Sequence, residues 1–234
     1  MRRRRRIRNH VNPLSVHHLD TGAGRVPLPP DRSVEVELGC AEGAFLFARA
    51  LVVPDRCYVG VEIREALVGR INAKAVRESA PVQAVYANLN CDLERLFAPG
   101  SVDLCHVNFP DPCFKKSQHK RRFFTSELAG AIARVLTPEG VLAVQTDIWD
   151  LGLEALEILE LSDDFTNELG EWTFAPENIY GALTQREAGC LKHDLKVWRL
   201  RFRKTLLTPA DPPQKPAIQS CISGSGSRAA PTGG

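Results

Sequence analysis

Residues 33–51 read SVEVELGCAEGAFLFARAL. Valine and glutamate alternate from Val34 to Glu37 with the two-residue period of a strand. Gly39 and Gly43 then bracket Cys40-Ala41-Glu42, and from Ala44 to Leu51 apolar residues recur at helical spacing. Strand, glycine turn and helix form the unit in which backbone amides at a helix start come close to a nucleotide-like ligand. Its spacing narrows the choice. Gly39 and Gly43 give G-x-x-x-G rather than the G-x-G-x-x-G that cradles a dinucleotide pyrophosphate, which argues against a nicotinamide dehydrogenase. A second apolar run, Cys57 to Glu62, ends in an acid. Glu62 lies about 20 residues past the turn, the distance at which an acidic side chain accepts from ribose hydroxyls.

The same alternation continues along the chain. Leu67, Ile71 and Ala75 mark a helix over 64–78, Val82 to Tyr86 reads as a third strand, and Asn88 follows its end. Val102 to Phe109 is a fourth strand that delivers Asp111 to the same carboxyl edge. Phe124, Leu128, Ala131, Ile132 and Val135 line a helix face, with Pro138 and Gly140 as its stop signals. Val141 to Gln145 is a fifth strand ending at Thr146-Asp147, and a further helix runs from Trp149 past Leu159. Residues 162–195 show no period and read as irregular. Lys196 to Arg203 alternate again, which predicts a strand with one wet, positive face. Polar groups at four strand ends point to a ligand pocket outside the carboxyl ends of a mostly parallel α/β sheet.

With 234 residues, 44% hydrophobic and 25% charged, the chain is sized for one domain of roughly 200 residues. The reading divides it into a basic arm at 1–32, a catalytic domain at 33–204 and a disordered tail at 205–234. No apolar run approaches the roughly 18 residues of a membrane span. The arginine run at 2–6 is not followed by an apolar segment, so a cytoplasmic protein without a membrane partner is expected. Seven cysteines with no C-x-x-C pair predict neither disulfides nor a metal site. Net charge is only +2, but basic residues cluster at 2–8, 115–122 and 196–204, which suggests a polyanion partner.

Residues 107–122, VNFPDPCFKKSQHKRR, bring acid and cations together. Pro110 and Pro112 each fix a φ angle and so hold Asp111 in one direction. Five Lys/Arg follow between Lys115 and Arg122 with no acid among them.

This F-P-D-P-x-x-K-K-x-x-H-K-R-R stretch, with Thr146-Asp147 and a late T-x-x-E at 184–187, resembles the bacterial tRNA (guanine-N7)-methyltransferases. The resemblance spans about residues 33–204. It implies a Rossmann-like class I methyltransferase fold: a mostly parallel seven-stranded sheet whose last strand, here 196–203, is antiparallel. It also implies S-adenosylmethionine as cofactor and tRNA as partner, the methyl going to N7 of the variable-loop guanine at position 46. Glu37, Gly39, Gly43, Glu62, Asn88 and Asp111 would line the cofactor, with Asp111 also facing the guanine as the catalytic residue. Lys115, Asp147, Thr184, Gln185, Arg186 and Glu187 would bind substrate. Ser117, Gln118, His119, Lys120, Arg121 and Arg122 would contact RNA. A monomer and a homodimer are both compatible with the sequence.

Two positions depart from the family pattern. Ala41 stands where the turn often has its middle glycine, and the expectation is that the turn avoids positive φ there. Cys113 stands in place of a tryptophan beside Asp111, with Phe114 as a partial substitute. The alternatives are a methyltransferase acting on another RNA or a small substrate, and a non-catalytic RNA-binding protein with a decayed cofactor pocket.

Overall fold

The structure is a computed structural model that describes residues 21–89, 92–111 and 124–206. Lys115, Ser117, Gln118, His119, Lys120, Arg121 and Arg122, together with Cys113, Phe114 and the first and last basic or tail segments, lie outside the described residues.

Seven strands form one sheet: β1 (Val34–Leu38), β2 (Cys57–Glu62), β3 (Val82–Tyr86), β4 (Val102–Asn108), β5 (Leu136–Thr146), β6 (Phe165–Asn167) and β7 (Trp198–Lys204). Their order is β3-β2-β1-β4-β5-β7-β6. Neighbours from β3 to β5 pair in parallel, whereas β7 runs antiparallel to both β5 and β6. The helices are α1 (Ala44–Val52), α2 (Glu65–Glu78), α3 (Leu93–Leu96), α4 (Ser126–Val135), α5 (Trp149–Glu160) and α6 (Gln185–Lys192). This is the α/β class I methyltransferase architecture expected from the sequence.

Strand direction decides which side chains face which helices. Val34, Val36 and Leu38 enter an apolar core with Leu96, Ile132 and Leu156 of α3, α4 and α5. On the opposite face Tyr58, Val82 and Ala84 pack with Leu46 and Ile71 of α1 and α2. Every residue of β1 is buried, Glu35 and Glu37 included. The alternation of VEVEL is therefore not one of core and water: its polar positions are buried as well.

Strand succession reverses direction between β1 and β4, which opens the crevice where ligands of parallel sheets bind. The chain leaves β1 into the glycine turn and leaves β4 into Asp111, so both candidate features border that crevice. Before β1, Val26 donates its N–H to Leu96 O at 2.9 Å and is itself buried, which seats residues 21–28 against α3.

Four local expectations are corrected. Helix α4 ends at Val135, and Pro138 and Gly140 lie inside β5, which begins at Leu136 rather than Val141. The register to β4 jumps there, from Val102↔Leu136 to Leu104↔Val141, around a loop-out with Glu139 at φ 67°. A Cβ on Gly140 would come within 2.9 Å of Thr137 O, so the tight corner needs glycine. Residues 162–195 contain β6 and α6; a three-residue strand is too short to show a period. Helix α3, a single turn, also gave no periodic signal. Finally, the basic face of β7 is only partly wet, and its arginines are paired with acids. Arg199 pairs with Glu187, Arg201 with Glu168, and Arg203 with Glu168 and Glu139, so these three arginines are matched by acids within the protein.

Candidate active site

The turn between β1 and α1 folds through three left-handed residues: Gly39 at φ 78°, Ala41 at φ 50° and Gly43 at φ 70°. Ala41 therefore does take the positive φ that it was expected to avoid. Its N–H donates to Glu62 Oε2 at 2.9 Å, a contact that fixes the peptide in this orientation. Holding an alanine there costs about 1–2 kcal/mol relative to its right-handed conformation. Ala41→Gly is expected to leave stability unchanged or raise it by up to about 1 kcal/mol, whereas Ala→Gly at an ordinary loop position lowers it. Thermal midpoints of the substituted and unsubstituted proteins check this. Gly43 has a separate reason to be glycine, since a Cβ would meet Ile71 Cγ1 at 3.1 Å.

Glu62 closes the turn from β2. Its Oε2 accepts from Ala41 N and from Arg64 Nη2 at 2.8 Å, and its Oε1 accepts from Arg64 N at 3.0 Å and Nε at 2.9 Å. A carboxylate offers about four acceptor positions, so a ribose hydroxyl reaches Glu62 only when the Arg64 side chain yields one. Asn88 is buried beyond β3, and its N–H donates to Asp92 Oδ2 at 2.8 Å. Ala87 N bonds Glu62 O at 3.2 Å, which sets Asn88 beside the end of β2.

Glu37 is the unusual member. Asn108 Nδ2 donates to its Oε1 at 2.8 Å, while the buried Oε2 has no hydrogen-bond partner among the described residues. Burial pushes its carboxyl up to about 8, the Asn108 bond opposes this, and the nearby Glu35 and Glu62 charges add to it. Glu37 and Glu62 thus lie near the carboxyl ends of β1 and β2, with Glu35 one turn of the pleat behind Glu37, and Glu37 has an oxygen to offer. A cationic ligand with hydroxyl groups suits this set, and the polyphosphate of a dinucleotide does not.

Two positions before Glu37, Glu35 anchors a fully buried cluster. Arg49 of α1 forks onto it, Nε to Oε1 at 2.7 Å and Nη2 to Oε2 at 2.9 Å, and His106 Nε2 lies 2.9 Å from Oε1. Burial alone would raise the Glu35 carboxyl; hydrogen bonds from His106 and Arg49 more than offset it and bring it down to about 2. Burial lowers His106 while the Glu35 bond and charge oppose this; its Nε2 donates to the carboxylate, which only accepts. Arg49→Met leaves a buried carboxylate half-satisfied and is expected to cost about 3–5 kcal/mol. A lower urea midpoint at unchanged m value would register it.

At the other side of the crevice, Asp111 is exposed and follows Phe109, whose φ of 48° is rare for a bulky residue. Phe109 N donates to Gln145 O at 2.7 Å. Asp111, Pro110 and Thr146 border a shallow cleft lined also by Leu151 and Glu154 of α5. Asp147, at the end of β5, forms an ion pair with Arg186, which places two of the anticipated substrate residues in contact.

The T-x-x-E residues separate into two kinds. Thr184 is the N-cap of α6, its Oγ1 accepting from Glu187 N at 3.0 Å, which is half of a capping box. Glu187 does not reach back to complete the box. Its carboxylate instead receives Asn178 Nδ2 at 2.9 Å, Arg199 Nη2 at 2.7 Å and Gln145 Nε2 at 3.3 Å. Thr184 and Glu187 are buried, whereas Gln185 and Arg186 are exposed to solvent.

Asn108, Gln145, Asn178 and Arg199 escaped the reading of the sequence. Asn108 and Gln145 had a signal: each is an uncharged polar residue near the end of a mostly apolar central strand, where a polar side chain needs a partner.

Comparison with known proteins agrees with this architecture. The model of a family described as putative methyltransferase, Methyltransf_4, matches residues 31–200. The tRNA (guanine-N(7)-)-methyltransferase of Synechococcus elongatus is 35% identical over 214 residues, covering 88% of this chain and 98% of the relative. The protein of the same name from Thermosynechococcus vestitus is 28% identical, covering 85% and 95%. Among solved structures, the 16S rRNA methyltransferase KamB matches with a TM-score of 0.53 at 17% identity, over 74% of this chain and 88% of that one. An rRNA methylase from Streptococcus thermophilus matches with a TM-score of 0.51 at 16% identity, over 75% and 89%. At such identities these two structures speak for the fold alone. The match over 31–200 and the relatives aligned over nearly their whole length, on a sheet of this order with acids at these strand ends, establish that the chain belongs to the bacterial tRNA (guanine-N7)-methyltransferase family.

Proposed function

We propose that the protein transfers the methyl group of S-adenosylmethionine to N7 of a tRNA guanine, with the variable-loop guanine at position 46 as target. The observation that carries the cofactor is Glu37: a buried carboxylate oxygen without a partner among the described residues, between Glu35 and Glu62, calls for a cation. S-adenosylmethionine, when bound, presents an ammonium, two ribose hydroxyls and a methyl on a cationic sulfur, which guanine N7 takes in line through its exposed lone pair without a general base. Glu37 would hold the ammonium, Glu62 a ribose hydroxyl after Arg64 withdraws, and Asn88 the adenine edge. The Gly39–Gly43 turn would bring its backbone amides beside the cofactor. Asp111 would accept from guanine N1 or N2 hydrogens and favour the positive charge that reaches the ring. Asp147, Arg186 and Gln185 would frame the base from the β5 side, and Lys115 through Arg122 would contact phosphates. Positioning of this kind contributes on the order of 7–11 kcal/mol in favourable cases.

Among the described residues no helix is long and apolar enough to cross a membrane. A reaction on tRNA implies a cytoplasmic enzyme. The direct test is incubation with unmodified tRNA and S-adenosylmethionine, followed by chemical cleavage at N7-methylguanosine. Cleavage at position 46, absent from a tRNA lacking that guanine, is the expected result. No cleavage of either tRNA would reject the reading.

A further inference from the structure

A line of hydrogen bonds crosses the sheet from the cofactor side to the base side. Glu37 Oε1 accepts from Asn108 Nδ2 at 2.8 Å; Asn108 Oδ1 accepts from Gln145 Nε2 at 2.9 Å; the same Nε2 donates to Glu187 Oε2 at 3.3 Å. The line runs through β1, β4, β5 and α6, and its middle, Asn108 and Gln145, borders a pocket lined also by Asn178 and Tyr180. A carboxylate stands at each end, and two amides lie between.

This order leaves the amides no freedom. Turning Asn108 over would set its oxygen against Glu37 and its nitrogen against the Gln145 nitrogen, and turning Gln145 over would set its oxygen against Glu187. Glu187 accepts at this end of the line, and Glu37 only accepts once a bound cation keeps it ionised, so each reversal then replaces attractions by repulsions. The polarity fixed at Glu187 by Asn178 and Arg199 is thereby handed to Glu37, which receives a donor on one oxygen and, among the described residues, none on the other.

We propose that Asn108 and Gln145 are positioning residues for the methyl transfer: they hold Glu37 with its second oxygen turned to the cofactor's cationic end, and they tie that carboxylate to the Glu187 hub under the Thr184 cap. The proposal rests on the cofactor reading given above. The ionisable groups around Glu37 are Glu35 on its own strand, Glu62 on β2, Cys40 in the turn and, opposite it in register, His106 on β4. Arg49 and Arg64 are committed to Glu35 and Glu62. A cation at Oε2 displaces the proton that the isolated site retains near neutral pH, and that proton passes to solvent. Affinity for S-adenosylmethionine is then expected to rise about tenfold per pH unit from pH 6 to near 8, and to level off above. Removing the Asn108 donor removes the bond that favours the carboxylate, so the level region moves to higher pH.

The experiment measures S-adenosylmethionine binding by calorimetry from pH 6 to 9, in two buffers of different ionisation enthalpy, for the full chain and for Asn108→Leu and Gln145→Met. The unsubstituted protein should release close to one proton on binding at pH 7. Both variants should bind about tenfold more weakly at pH 7, with the plateau displaced upward, and Gln145→Met should also raise KM for tRNA. Folding of each variant is followed by circular dichroism; should one fail to fold, the other carries the same expectation. Variants with unsubstituted affinity and pH profile would overturn the proposal while leaving the enzyme reading intact. An unsubstituted protein that does not bind S-adenosylmethionine would overturn the enzyme reading itself.

Discussion

Glu37→Gln is expected to stabilise the ligand-free protein by roughly 2–5 kcal/mol at pH 9, to change its stability little at pH 4, and to weaken S-adenosylmethionine binding about 10–100-fold. The carboxyl is raised from 4.5 to about 8 because folding removes it from water before any cation is present. A group raised in this way contributes stability below its unfolded value, and that contribution is lost as pH rises through the folded value. The window is therefore pH 4.5 to about 8. Above it the folded state carries a buried charge, at a cost of about 1.4 kcal/mol for each pH unit between the unfolded and folded values. Glutamine keeps the oxygen that accepts from Asn108 and discards the charge. Urea melts at pH 4 and pH 9 would show the growing difference, and equal midpoints at both would refute it. A binding site that weakens the empty protein and is relieved by its ligand is the usual trade between function and stability.

Asp111→Asn is expected to lower kcat by about 10²–10³-fold while leaving KM for tRNA within about threefold. Asparagine retains the size of the side chain and one acceptor oxygen, so the base still docks. What is lost is the negative charge facing a purine ring that becomes cationic as N7 is methylated. The effect thus falls on the transition state, and kcat and kcat/KM should drop together. The position of the carboxylate depends on its neighbours. Phe109 holds a left-handed φ immediately before Pro110 and is anchored by its bond to Gln145 O, while a proline on each side of Asp111 restricts the backbone there. Single-turnover rates at saturating tRNA would decide the matter, and a rate equal to that of the unsubstituted protein would remove Asp111 from the chemistry.

Much of this site could be read from local pattern. Strand, turn and helix at 33–51 lie close together in sequence, and Glu62, Asn88, Asp111 and Asp147 each end an apolar strand, so a one-dimensional signal located them. The network behind them was not legible, because it is made by register. Nothing in the sequence says that Glu37 lies opposite His106, or that Asn108 and Gln145 share a rung of β4 and β5. T-x-x-E was visible at 184–187, but its helix was not. Only Glu187 and Cys190 of α6 are buried, too few to give an amphipathic stripe. The basic alternation of β7 misled for a similar reason. The glutamates that neutralise Arg199 and Arg201, at 187 and 168, come from the segment that showed no period at all.

The place of β7 has a consequence for a chain emerging from the ribosome. Strands β1 to β5 come out in an order that lets them pair as they appear, yet β5 is left with an open edge, and β6 has nothing to dock on. The last of the strands among the described residues, β7, is the one that fits between them. Until residues near Lys204 have cleared the exit tunnel, a growing chain offers an unpaired edge to its neighbours, a known hazard for aggregation. Arg199 arrives with that strand, so the Glu187 hub, and the alignment of Glu37 that depends on it, is completed only when synthesis of the sheet is done.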